Sequence, residues 1–262
     1  MLKIDSLSNE KIKLCTKIIS SSKHRREKGL FFLEGLRLCR DAAVTGCVIE
    51  FAFFTRKAIE AKAGDVDFIS GRAEHYFEIS QQIANNLSCT ETDQGFFCLC
   101  RIPDNTREIT YDGKYIALEN IQDPSNLGAV CRTAEALGIR GAIVSGCCDI
   151  FSPKAQRAAM GSLLRLSITQ CDDLSEFLAS LGKNGMKLYA TTPDENARRV
   201  TDCDMSGGVV CVIGNEANGV TDEVFDVCEK ITIPMLGRAE SLNASMAAAI
   251  TMWEMMRCTD GK

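Results

Sequence analysis

Three stretches of this chain concentrate amides, carboxylates, hydroxyls and a guanidinium where apolar runs end. They read Glu119-Asn-Ile-Gln-Asp-Pro-Ser-Asn-Leu-Gly-Ala-Val-Cys-Arg-Thr-Ala134, then Ile213-Gly-Asn-Glu-Ala-Asn-Gly219, then Ile233-Pro-Met-Leu-Gly-Arg-Ala-Glu-Ser-Leu-Asn-Ala-Ser245. The side chains with chemistry to offer are Asn126, Arg132, Glu216, Ser241 and Asn243. A guanidinium forks onto phosphate or carboxylate, while amides and hydroxyls hold a polar substrate atom in place. Three polar mouths at the ends of buried runs suggest one site assembled from distant pieces of chain, at the edge where open α/β sheets bind ligands.

In the first block, Asp123-Pro124 is a turn-and-cap pair, and a helix opens after it. A helix N-terminus turns unpaired N–H groups toward a phosphate or carboxylate. Asn126 and Arg132 are six residues apart, so their directions differ by about 120° on an ideal helix. Asn126 is therefore expected at the helix mouth and Arg132 to one side. A plain cap would also account for Asn126. Arg132 stands between Val130 and Ala134 in an otherwise apolar helix, so a solvated surface position is not expected, and a buried arginine needs a partner. In the second block a β-branched run, 209–213, enters a tight loop whose small residues let backbone approach a ligand. Glu216 reads as a site carboxylate or as a simple charge near a helix start. The spacing is not Gly-x-Gly-x-x-Gly, and no Gly-x-x-x-x-Gly-Lys-Ser/Thr occurs, so the common dinucleotide and P-loop readings lose support. In the third block Ser241 is expected to cap an Ala-rich helix over 241–257. Ser241, Asn243 and Ser245 together exceed what one cap requires. Thr191 and Thr192, after the apolar run 186–190, are a candidate further wall.

The elements that must position these residues follow from periodicity. From residue 114 onward, strands at 115–118, 141–144, 166–169, 186–190, 208–213 and 231–233 alternate with helices at 126–138, 153–164, 172–182, 220–228 and 241–257. Short continuous β-branched runs between helices predict a parallel sheet covered on both faces. Residues 1–110 read as a smaller α/β unit, with helices near 8–22, 35–43, 56–62 and 79–87 and strands near 47–54 and 95–100. The polar, proline-interrupted stretch 101–108 reads as a linker. Two domains are expected, 1–104 and 112–262.

Composition bounds the class. Charged residues at 25% and hydrophobic residues at 45% are ordinary globular values. No apolar run approaches the roughly 18–20 residues of a membrane span, and the first residues lack the apolar stretch of a secretory signal, so a cytoplasmic protein without a membrane partner is expected. The 14 cysteines include no Cys-x-x-Cys, and both histidines lie far from the Cys98/Cys100 and Cys147/Cys148 pairs. Reduced core thiols are expected and no metal. Net charge is −5, yet residues 1–40 carry ten Lys/Arg against four acids. Lys23, Arg25, Arg26, Lys28 and Arg37 are thus candidate phosphate contacts, the alternative being a solvated helix end.

The three blocks resemble the SpoU/TrmH branch of the SPOUT methyltransferases. The matching text is Asn-x-x-Asp-Pro-x-Asn-x-Gly-x-x-x-Arg-Thr-Ala at 120–134, Gly214, Glu216 and Gly219 in the second block, and Ile-Pro-Met followed by Ser-Leu-Asn-x-Ser at 233–245. They occur in the family's order, across roughly 112–258. The resemblance implies an S-adenosyl-L-methionine-dependent RNA 2′-O-ribose methyltransferase whose sheet closes with a C-terminal trefoil knot. It implies a ribosomal-protein-like N-terminal domain that binds RNA, and a homodimer with its active site completed across the interface. It casts Asn126, Arg132, Glu216, Ser241 and Asn243 as catalytic-pocket residues, and Ile213, Gly214, Ile233, Met235 and Leu242 as cofactor contacts, with Thr191 and Thr192 added as a wall. Guanidinium keeps its proton far above neutral pH, so Arg132 is expected to clamp the phosphate beside the target ribose rather than act as a base. The N-terminal segment favours ribosomal RNA as substrate. The alternatives are a tRNA 2′-O-methyltransferase and a non-catalytic RNA-binding protein. A nucleotide-binding oxidoreductase lacks its glycine fingerprint here.

Overall fold

The computed structural model describes residues 1–257. The chain divides into two compact units, one made of Met1–Asp104 with Phe151–Leu164, the other of Asn105–Ile150 with the chain from Arg165 onward.

The first unit runs β1 (Leu2–Ile4), α1 (Glu10–Ser20), α2 (Ser22–Lys28), β2 (Leu30–Glu34), α3 (Leu36–Thr45), β3 (Ile49–Thr55), α4 (Arg56–Ala61), α5 (Ala63–Ser70), β4 (Ala73–Ile79), α6 (Gln81–Leu87) and β5 (Phe96–Arg101). Its sheet has the order β1-β4-β3-β5-β2. The β1, β4 and β3 pairings are parallel, and β5 runs antiparallel to both β3 and β2. One face packs Phe32, Phe53, Phe97 and Leu99 against Ile12, Cys15 and Ile18 of α1 and Ile83, Ala84 and Leu87 of α6. The single helix expected over 8–22 is broken at Ser21. That residue is extended (φ −136°, ψ 116°) and its hydroxyl accepts from the His24 N–H, which starts a second helix. Gly29, left-handed at φ 63°, ends it. The strands β1, β2 and β4 and the helix α5 were not expected from the sequence. Strands β2 and β4 lack strict alternation of apolar and polar residues, and β2 is buried at every position.

The second unit contains β6 (Lys114–Glu119), α7 (Pro124–Leu137) and β7 (Gly141–Ser145). The chain then passes through α8 (Pro153–Ala159), and continues with β8 (Ser167–Gln170), α9 (Leu174–Lys183), β9 (Lys187–Thr191), β10 (Arg198–Arg199), β11 (Val209–Ile213), α10 (Asp222–Phe225), β12 (Glu229–Thr232) and α11 (Ala244–Arg257). Sheet order is β10-β12-β9-β11-β6-β7-β8, and every pairing is parallel. On one face, Leu174, Leu178 and Leu181 of α9 and Val224 of α10 bury Ala117, Ile143, Val210 and Val212. On the other, α11 packs on α7, β6 and β11.

Two expected helices change. The segment expected as one helix over 153–164 forms α8 and a short 3-10 turn at Ser162–Leu164, and it packs with the first unit, where Phe151 lies 5.2 Å from the Phe31 ring. The helix expected over 220–228 is only the four residues of α10. Its start is pinned at Thr221 and the chain must be extended again by Glu229 to pair with β9. Among the described residues no helix is long and apolar enough to cross a membrane.

Order reverses between β6 and β11: from β6 the sheet grows through β7 to β8, while β11 leads to β9 and β12. All three polar blocks leave the sheet at carboxyl ends, after β6, β11 and β12. Open parallel sheets bind ligands at such a switch point.

Candidate active site

The first two blocks are tied together at their roots. Glu119, the last residue of β6, is buried, and its carboxylate accepts from the Thr221 N–H (2.9 Å) and hydroxyl (2.7 Å). Asn120 follows in the left-handed region at φ 56°. Its carbonyl accepts from the Asn215 amide at 2.7 Å and from Gln122 Nε2 at 3.1 Å. Asn215 also closes its own loop, exchanging backbone bonds with Gly219 (2.9 Å each way) and accepting on Oδ1 from Ala217 and Asn218 N–H. A side chain at Gly214 would collide with the Gly219 backbone, so that position has room for glycine alone.

This frame presents a row of polar side chains. Asn126 donates from Nδ2 to Glu216 Oε1 at 2.9 Å and accepts on Oδ1 from Asn243 Nδ2 at 3.1 Å. Asn243 in turn accepts from the Ser245 N–H (2.9 Å) and hydroxyl (2.6 Å). One residue from each block is thereby linked in sequence. Asn126 is no helix cap: Asp123 fills that role, accepting from the Ser125 N–H, with Pro124 at the first helical position. Ser241 is no cap either, because α11 begins at Ala244 and Asn243 receives its first free N–H groups. Desolvation works to raise the Glu216 carboxyl, but donation from Asn126 and from the Gln122 and Asp123 N–H groups outweighs it and holds the group below its usual range. It is an anion at neutral pH.

Beside the row opens a cavity of about 340 Å³. All seven residues expected at the cofactor line it: Thr191, Thr192, Ile213, Gly214, Ile233, Met235 and Leu242, together with Glu216 and Ser241. Asn126 and Asn243 reach the cavity through Glu216 rather than lining it. Thr191 is fixed by donation from its hydroxyl to the Val212 carbonyl (3.0 Å), and Thr192 by its N–H to the Ile231 carbonyl (2.9 Å). The volume suits a small ligand. Apolar side chains and loop backbone around a glycine-cramped turn are the donor set an adenosyl group requires, so these residues fit S-adenosylmethionine.

Arg132 departs from expectation. It is exposed on α7, away from the cavity lining, and makes no hydrogen bond or ion pair among the described residues. The apolar flanks Val130 and Ala134 are buried because they lie on the other side of the helix. The exposed side of α11 carries Met246, Ile250 and Trp253 at 57, 39 and 57% exposure, an apolar stripe at helical spacing.

In the first unit, Lys23, Arg26, Lys28 and Arg37 are exposed. Arg25 is a correction: it is only 5% exposed and donates from one guanidinium nitrogen to the carbonyls of Ile18 and Ile19 (3.0 Å to the latter). It holds the last turn of α1, where carbonyls lack helical partners, and is withdrawn from any RNA surface. Residues the sequence reasoning passed over are Glu119, Asn120 and Asn215. Their signal was position, since Glu119 ends a buried strand and Asn120 and Asn215 stand at the first and second places after one. Among the described residues no group of three or more His, Cys, Asp or Glu could hold a metal ion.

Comparison with known proteins gives this geometry its class. Residues 113–253 match the SpoU rRNA Methylase family, and residues 9–98 match the MRM3-like substrate binding domain. The chain belongs to the SpoU rRNA methylase family. It is 28% identical over 258 residues to the 23S rRNA (guanosine(2553)-2′-O)-methyltransferase RlmP of Bacillus subtilis, covering 97% of this chain and 99% of that one. Among solved structures, an AdoMet-bound rRNA methyltransferase from Sinorhizobium meliloti superposes with a TM-score of 0.85 at 28% identity, over 98% of this chain and 97% of that one. An RNA 2′-O ribose methyltransferase superposes at 0.82 and 27% identity over 98% of each chain.

Proposed function

We propose that this protein transfers a methyl group from S-adenosylmethionine to a ribose 2′-hydroxyl of ribosomal RNA, as a cytoplasmic homodimer with a knotted C-terminal fold. The observation that carries the reading is the linked row Glu216–Asn126–Asn243, one residue from each block, standing beside a cavity walled by residues of the second and third blocks together with Thr191 and Thr192. Full-length similarity to RlmP favours ribosomal RNA over tRNA. When bound, S-adenosylmethionine supplies a methyl group already activated by its sulfonium charge.

The chain's own residues do the remaining work. Ile213, Gly214, Ile233, Met235 and Leu242 would hold the cofactor through backbone and apolar contact, with Thr191 and Thr192 closing one side. Glu216, kept ionised, and Ser241 face the same space, while Asn126 and Asn243 fix the rotamer of Glu216. Catalysis of this kind is orientation: a near-attack geometry supplies several kcal/mol of the barrier reduction. Arg132 would grip a phosphate next to the target ribose with its fork and lower the cost of the developing alkoxide, the proton leaving to solvent. Because Arg132 is exposed on α7, lines no part of its own protomer's cavity, and α7 packs on α11, Arg132 is assigned to the site of a second protomer docked on the apolar stripe of α11. The exposed Lys23, Arg26, Lys28 and Arg37 would take RNA phosphates, giving residues 1–104 their role as a substrate-binding domain.

Calorimetric titration with S-adenosylhomocysteine, paired with mapping of 2′-O-methyl positions in total RNA from cells with and without the gene, tests this. Binding, plus one lost rRNA methylation, is the expected result. A lost tRNA position would transfer the substrate assignment. Indifference to the cofactor product would leave an RNA-binding protein without transferase activity.

A further inference from the structure

Four of the cysteines in the first unit stand in one unbroken row. Cys98 and Cys100 alternate with Phe97 and Leu99 on β5, so both thiols project to the face of the sheet opposite α1 and α6. Cys39 of α3 lies beside Cys98, Cys98 beside Cys100, and Cys100 beside Cys47. Cys39, Cys98 and Cys100 are fully buried, whereas Cys47 is half-buried.

The backbone fixes the outer pair independently. Cys47 lies in the turn between α3 and β3, where its N–H donates to the Ala42 carbonyl at 3.1 Å. Ile49 pairs with Cys100, the Arg101 N–H donates to the Val48 carbonyl at 2.9 Å, and the Cys47 thiol donates to the Arg101 carbonyl at 3.5 Å. Burial pushes the Cys39 and Cys100 thiols up. The contact from Cys100 holds the Cys47 thiol below its usual range, against the opposing effect of its partial burial. A thiol that is reachable from solvent, ionises more readily than usual and has a second thiol beside it is the arrangement found in peroxide-responsive cysteines.

We propose that Cys47 and Cys100 form a modification site for hydroperoxides, in which Cys47 is the attacking and Cys100 the resolving thiol. The Cys47 thiolate attacks one peroxide oxygen; the O–O bond breaks, hydroxide or alkoxide leaves, and sulfur becomes the sulfenic acid. The Cys100 sulfur then attacks the Cys47 sulfur, the S–O bond breaks, and water leaves with the Cys100 proton. The sum is two thiols and one hydroperoxide converted to a disulfide, water and, from hydrogen peroxide, a second water. A thiol reductant reverses it. This site is independent of the methyl-transfer reading.

The test uses the full-length protein, treated with stoichiometric hydrogen peroxide and digested with trypsin under alkylating conditions. The expected product is a cross-link between peptides 41–56 and 73–101, with fragmentation placing it at Cys47 and Cys100 rather than Cys89 or Cys98. The intact mass should fall by about 2 Da, the two hydrogens of one disulfide. Cys47→Ser should abolish it. In Cys100→Ala the reaction should stop at the sulfenic acid, so dimedone should label Cys47 in that variant and not in the oxidised wild type. Circular dichroism checks that both variants fold; should one fail, the position of the wild-type cross-link decides alone. A cross-link elsewhere, over-oxidation of Cys47 with no partner, or an unchanged mass at stoichiometric peroxide would overturn the assignment.

Discussion

Removing the Asn126 side chain should cost both stability and activity, and the structure says by how much. Asn126 is 9% exposed and makes two bonds at once, one to a carboxylate at 2.9 Å and one from an amide at 3.1 Å. A bond to a charged group contributes about 1.5–3 kcal/mol and a neutral one about 0.5–1.5. Glu216 is largely solvent-exposed, so the low end applies to the first bond, about 1.5 kcal/mol, and about 1 kcal/mol to the second. Asn126→Ala should therefore lower unfolding free energy by about 2.5 kcal/mol in urea titration. If the same bonds orient Glu216 during methyl transfer, kcat/KM should fall by about 50- to 100-fold. The double-mutant cycle with Glu216→Ala isolates the first bond and should show about 1.5 kcal/mol of coupling. Coupling below about 0.5 kcal/mol, in both stability and kcat/KM, would mean the row is incidental to folding and to catalysis.

Arg132→Ala should reduce kcat/KM for RNA by about 100-fold, the loss of a forked charge-assisted contact, with affinity for S-adenosylhomocysteine unchanged; Arg132→Lys with wild-type turnover and an unshifted pH profile would remove the proposed clamp. Asp204 is held below its ordinary 3.8 by its ion pair with Lys187 and by the Ser206 hydroxyl and N–H. Its contribution to stability is therefore complete above 3.8 and fades as pH falls through the depressed folded value, so the Tm gap between wild type and Asp204→Asn should be constant above about pH 5 and close on acidification. Met246→Glu combined with Trp253→Glu places two charges in the exposed stripe of α11, and light scattering should report a monomer with greatly reduced activity; an unchanged mass would exclude that stripe as the contact.

The parallel sheet was readable because its strands are short β-branched runs separated by helical spacing, and the blocks were readable because each interrupts such a run abruptly. Their convergence was not, since nothing local says that β11 inserts beside β6 while β7 and β8 lie beyond. Pair-level chemistry was also hidden. Glu119 read as the end of a strand, yet it is the buried staple to Thr221, a contact spanning 102 positions. Arg132 and Arg25 were misjudged for one reason: the flanking residues suggested burial for the first and a basic cluster suggested exposure for the second. Helical direction reversed both, turning Arg132 outward from α7 and folding Arg25 back onto the carbonyls of α1. In the first unit, β2 went unseen because it is buried at every position, so it has no period to detect, and Leu30-Phe-Phe-Leu-Glu34 carries no β-branched residue to mark it.

The three walls of the cavity are not equally held. Two are built in advance: the Gly214–Gly219 loop is closed by its own backbone bonds and tied to Asn120, and Thr191 and Thr192 are bonded to neighbouring strands. The third, residues 233–242, joins β12 to α11 without a backbone hydrogen bond among the described residues, and Leu236 is wholly exposed. A ligand seated against Ile233, Met235 and Leu242 must order that wall at about 1–2 kcal/mol per residue fixed, so part of its contact energy is absorbed there. Gly237 offers a way to measure this, since a side chain at that position meets nothing within 4 Å and its backbone lies outside the left-handed region. Gly237→Ala should restrict the free wall by about 0.4–1 kcal/mol, tightening S-adenosylhomocysteine about two- to fivefold in calorimetry. Amide exchange across 235–242 should slow on binding in both proteins, and less in the variant because it starts slower. Equal affinity in the two, with exchange in this segment indifferent to ligand, would show that the third wall is as preformed as the others.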